Sequence, residues 1–107
     1  MAYSVTDANH FSFSKFADIS GKQNYDPSLE YDCLVTRGCR NTNSSLFNKG
    51  FLSQYSRTSY ENDFNMYAEF LFINREYLQS LSRKYPLINL KYQAVKKFYA
   101  DLGVVID

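Results

Sequence analysis

The pattern of apolar and polar positions changes character near residue 57. Beyond it, apolar residues recur at helical spacing. Thr58, Ser59, Tyr60 and Glu61 spell T-x-x-E, the form of a capping box in which a hydroxyl and a carboxylate satisfy free N–H groups at a helix start. The box predicts a helix over about 59–73. Asn74 offers a new cap, and Tyr77, Leu78 and Leu81 share one face of a second helix over 75–84. Pro86 ends that helix and can open the next, because a first turn leaves its N–H positions unpaired anyway. The third helix is predicted over 87–102, with Ile88, Val95, Phe98, Tyr99 and Leu102 on one side and Gly103 as its stop.

Before residue 57 no helical period persists, and Ser, Asn, Asp and Gly are frequent. Gly21 and the pair Asp26-Pro27 punctuate a turn-rich stretch. Cys33 to Thr36 and Gly50 to Tyr55 read as two short strands, joined as a hairpin by the polar loop Asn41 to Ser45. Phe11, Phe13 and Phe16 in FSFSKF fit a short strand or a helix start equally well. The expected fold class is therefore α+β, mainly α. A turn- and strand-rich half over 1–57 carries a short hairpin and precedes a helical half over 58–107, within a single small domain.

A length of 107 residues supports one domain with a modest core. Ten Tyr and nine Phe with no Trp make that core one of flat rings, many with a hydroxyl that needs a partner. A net charge of +1 gives no basic stripe of the kind nucleic acid selects, and RKY and KYQAVKK read as solvated helix faces. No apolar run is long enough to span a bilayer. The first ten residues lack the basic and apolar regions of a signal peptide, which tips the expected setting slightly toward the cytoplasm.

Cys33 and Cys39 are too loosely spaced for a zinc pair and read as ordinary thiols, although a disulfide across the hairpin is geometrically open to them. His10 is the sole histidine, and H-E-x-x-H, G-x-S-x-G, P-loop and G-x-G-x-x-G motifs are all missing. No catalytic set follows from the residues alone.

The chemistry that remains is acidic. Glu61, Asp63 and Glu69 lie on the first predicted helix. At about 100° per residue, Phe64, Tyr67, Ala68 and Leu71 form a face centred roughly 70° from Glu61. Glu61 and Asn65 then sit at the rim of the buried face, Asp63 flanks the opposite edge, and Glu69 points toward solvent. Two uses compete for Glu61. Acids in a first turn complement the helix dipole, and Glu61 already completes the capping box. The same rim placement also suits a metal ligand with its supporting residue one turn on.

GFLSQYSRTSYENDFNMYAEFLF resembles the C-terminal part of gluzincin-like zinc metallopeptidases, in which a strand close to G-F-V-S-x-Y-A leads into a helix close to E-D-F-A-E. Gly50, Phe51, Ser53, Tyr55 and Ser56 match the first element, and Asp63, Phe64, Ala68 and Glu69 match the second. The basic stretch, proline and final amphipathic helix that follow are similar to the end of the anthrax lethal factor protease domain. The resemblance implies zinc in the parent family, held by two histidines of an H-E-x-x-H helix and by one later acid. Carried across, Glu61 is the preferred counterpart of that acid, Asp63 its competitor, and Asn65 the orienting residue. The H-E-x-x-H histidines and general-base glutamate are absent from this sequence. The expectation is thus a C-terminal subdomain or degenerate remnant, not catalytic by itself and with no cofactor of its own. It would act on peptides only when an H-E-x-x-H-bearing segment completes it. The alternative is a small helical protein–protein interaction module, with exposed aromatics meeting a partner or a second copy.

Overall fold

The computed structural model describes residues 11–36 and 38–105. Among these residues the chain is mostly helical, with five α-helices: α1 Phe13–Ser20, α2 Leu29–Val35, α3 Tyr60–Ile73, α4 Arg75–Lys84 and α5 Pro86–Asp101. Short 3-10 turns at Lys22–Asn24, Ser44–Lys49 and Tyr55–Arg57 fill the connections. The last three helices fall within a residue of the ends that their caps and proline predict.

The expected α+β class is corrected. The only pairing outside helices among the described residues is an isolated antiparallel bridge between Thr42 and Ser53. Cys33 to Val35 belong to α2, and Gly50 to Gln54 run irregularly across the core before Tyr55 opens a 3-10 turn. Local chemistry explains the first change. The Asp26 carboxylate accepts from the backbone N–H of Ser28 at 3.1 Å and from its hydroxyl at 2.5 Å, forming a turn that launches a helix. Glu30 and Asp32 in the first turn then favour the positive helix end. The β-branched pair Val35 and Thr36 comes only where the helix stops. FSFSKF resolves as a helix, because the Ser12 hydroxyl accepts from the N–H of Lys15 at 3.1 Å as an N-cap.

The main core joins Phe16 of α1, Phe47 and Leu52 of the loop, Phe64, Met66, Tyr67 and Leu71 of α3, Leu78 and Leu81 of α4, and Ile88, Tyr92, Val95 and Phe98 of α5. The rings meet edge to face, as with Phe64 and Phe98 at 5.2 Å and 87°, the geometry that aromatic quadrupoles prefer. Beside it Ala17, Tyr25 and Phe51 form a smaller cluster. Gly50 holds the loop between these packings. Its φ of 88° suits only glycine, and a Cβ there would lie 2.8 Å from the Ser20 hydroxyl and 3.1 Å from Leu87.

The cap of α3 also differs from the T-x-x-E reading. Ser59, not Thr58, is the N-cap and accepts from the N–H of Asn62 at 3.0 Å. Thr58 is buried and donates instead to the carbonyl of Tyr55 at 2.7 Å. Glu61 is exposed and makes no capping bond. Ser59→Ala is therefore expected to lower stability by about 1 kcal/mol, and Glu61→Ala to stay within about 0.5 kcal/mol of the parent. Urea unfolding of the two variants checks the order.

Candidate functional site

α3 and α5 carry ionisable residues at positions where their neighbours are apolar. Asp63 shares the buried side of α3 with Phe64, Met66, Tyr67 and Leu71. Lys91 shares that of α5 with Ile88, Tyr92, Val95 and Phe98. Both side chains are fully buried, and Lys91 Nζ lies 2.6 Å from Asp63 Oδ2. The same ammonium donates to the carbonyl of Gly50 at 3.1 Å and approaches the Tyr25 hydroxyl at 3.4 Å. It also stands 4.3 Å from the centre of the Phe51 ring, with the Phe16 and Tyr25 rings at 5.3 and 5.6 Å. Ring faces carry partial negative charge, so this aromatic cage suits a cation.

Asp63 is served less evenly. Its Oδ2 also accepts from the Tyr25 hydroxyl at 2.5 Å, whereas its Oδ1 is buried with no hydrogen-bond partner among the described residues. Burial pushes the Asp63 carboxyl up to about 6, against the pull of the Lys91 charge and of the hydrogen bonds from Lys91 and Tyr25. Burial likewise draws Lys91 down, with Asp63 acting to keep its proton on. One loss of solvent thus drives both partners toward neutrality, and their mutual contact opposes it. The Tyr25 phenol is pushed up by burial and by the Asp63 carboxylate, so it keeps its proton and serves as a hydrogen-bond donor to Asp63. Tyr67, raised by burial, donates to the carbonyl of Gly50 at 2.8 Å.

The residues singled out from the sequence separate. Glu61 and Asn65 are exposed on α3, while Asp63 is at its centre. Counting Asp63 and Met66 with the buried set swings that arc roughly 60° away from Glu61. Glu61 borders a shallow groove with Lys22, Tyr25 and Glu30, and Asp63 is already held by an ammonium. Glu69 faces solvent and stands 3.8 Å from Arg40. His10 lies outside the described residues. Among those that are described, no group of three or more His, Cys, Asp or Glu is placed to hold a metal ion. The zinc assignment of Glu61, Asp63 and Asn65 therefore has no set of donors around it among the described residues.

Cys33 and Cys39 are joined as a disulfide with Cα atoms 5.2 Å apart, not left as thiols. The bond ties the last turn of α2 to the buried Cys39. None of the described helices is long and apolar enough to cross a membrane.

Lys91 is the residue the sequence reading missed, having been placed on a solvated face. The signal was its register. Ile88, Lys91, Tyr92, Val95 and Phe98 follow one apolar stripe, and a lysine in such a stripe requires a buried acid. Asp63, in the matching stripe of α3, is that acid.

No protein-family model matches the chain, and no match is found among curated proteins or solved structures.

The pair makes a sharp prediction. Lys91→Met leaves a buried carboxylate uncompensated and is expected to cost about 3–5 kcal/mol, whereas the joint replacement Asp63→Leu with Lys91→Met should recover most of that loss. Denaturant titration of both variants reads the difference. Equal losses would show that packing volume, not charge, is what the site supplies.

Proposed function

We propose that the chain is a small helical interaction module whose docking element is α2. The observation that carries this reading is that α2 buries none of its side chains. Tyr31, Leu34 and Val35 are 71%, 79% and 65% exposed, and their i, i+3, i+4 spacing aligns them on one face. A helix of seven residues does not persist in water on its own propensity. Here it is fastened at both ends. The N–H of Asp26 donates to the carbonyl of Arg57 at 2.7 Å before it, and the Cys33–Cys39 bond closes the loop after it.

Keeping a short apolar helix ordered and uncovered suits docking into another protein's groove, where such a face supplies the anchors. Glu30 and Asp32 are also exposed on the same helix, so the matching surface is an apolar groove edged with basic side chains. The metallopeptidase-remnant reading draws less support, because its acids are either out in solvent or committed to Lys91.

A photoreactive residue placed at Leu34 is expected to capture a discrete protein, and the same probe at exposed Gln93 on α5 is not. Tyr31→Asp should abolish capture from position 34 with the thermal melt unchanged. Equal capture from both positions, or none from either, would contradict the assignment.

A further inference from the structure

The Lys91–Asp63 contact has an asymmetry that an ordinary internal ion pair lacks. Lys91 has acceptors on three sides, in Asp63, Gly50 and Tyr25. Among the described residues, Asp63 uses one oxygen for both of its partners and leaves the other buried and unpaired. Such an atom forfeits its hydration without return. Both charges are also out of water, and the ammonium lies among the rings of Phe16, Tyr25 and Phe51.

An amide between the two side chains would remove all three liabilities. Its carbonyl oxygen would inherit the hydrogen bond from Tyr25, and its single N–H would inherit the one to Gly50. No polar atom would be left over. The surroundings therefore match the condensed product more completely than the ion pair.

We propose that Lys91 and Asp63 are the two halves of an intramolecular isopeptide bond, formed spontaneously in the folded chain between Nζ and Cγ. A proton first passes from the Lys91 ammonium to the Asp63 carboxyl and is carried on Oδ1, so that Oδ2 stays the carbonyl oxygen that accepts from Tyr25 and from the now neutral amine. The amine lone pair forms the N–C bond at Cγ. The Tyr25 hydroxyl, donating to Oδ2, stabilises the negative charge that builds there, as an oxyanion-hole donor does. The bond from Cγ to Oδ1 breaks, and Oδ1 leaves as water with the acid proton and one proton from the nitrogen. Atoms and charge balance without an oxidant, a nucleotide or any outside reagent. Holding both groups in contact within a rigid interior supplies the effective concentration that the same side chains lack in water.

The test is the intact mass of the folded wild-type chain, measured with Cys33 and Cys39 reduced. A species lighter than the sequence by one water is expected, accumulating with time after folding. Its protease digest should contain a branched peptide joining the Asp63 and Lys91 segments. Asp63→Asn, which keeps the size of the side chain, should lose one ammonia instead. Tyr25→Phe should form the link roughly a hundredfold more slowly. A wild-type chain that keeps its full sequence mass after prolonged incubation overturns the proposal. So does a water loss confined to a linear peptide, which would mark dehydration within the backbone. Neither result requires a variant to fold.

Discussion

Lys91 brings a charge into the interior, and the neighbouring segments are arranged around it. Removing an ammonium from water costs several kcal/mol even after relaxation, unless an opposite charge and further acceptors replace the solvent. Asp63 supplies the charge and the carbonyl of Gly50 supplies an acceptor. That second requirement shapes the loop. Gly50 takes its φ of 88° beside Ser20 and Leu87, while its carbonyl accepts from Lys91 and from Tyr67 together. One backbone oxygen thereby ties the irregular segment to α3 and α5. This explains how a stretch without a sheet can run through the core, with Phe51, Leu52 and Ser53 all fully buried.

The same centre relates the two clusters of apolar side chains. Tyr25 belongs to the smaller cluster through its ring, packed at 5.0 Å from Phe51, and reaches the polar centre through its hydroxyl. Phe16 belongs to the larger cluster, and its ring lies 5.3 Å from the Lys91 ammonium. A chain with so many tyrosines must find partners for their hydroxyls, and the ion pair accepts one of them. The polar centre and the aromatic core are in this sense one structure, in which the rings exclude water and the polar tips complete the contacts.

How far the sequence could be read follows from the range of each interaction. The ends of α3, α4 and α5 fall at Ser59, Asn74, Pro86 and Gly103, residues whose effects reach only a few positions, although the Asn74 side chain makes no capping bond. They were legible, apart from a one-residue shift between Thr58 and Ser59 as the cap. The supposed hairpin depended on pairing that no local rule guarantees, and a turn at Asp26 with acids after it decided for helix. Asp63 and Lys91 lie 28 residues apart, and each alone looks like a surface charge. Only a comparison of their apolar registers exposes the pair. Exposure of Tyr31, Leu34 and Val35 was not legible, because apolar residues at helical spacing ordinarily mark a buried face.

Order is therefore distributed unevenly along the chain. α3, α4 and α5 share a core with few outlets to solvent, so any opening there exposes the ion pair and many rings together. α2 contributes no buried side chain, and its opening would break little beyond its own turns. Elements that must meet another molecule come from this weakly held end of the stability range, since a face committed to the core is not free to bind. The disulfide moderates the consequence. By fixing the last turn of α2 to Cys39 it limits how far the helix can disperse while leaving its apolar side open. A helix so restrained loses less conformational freedom on docking than an unanchored segment of the same sequence, which favours affinity without added contacts.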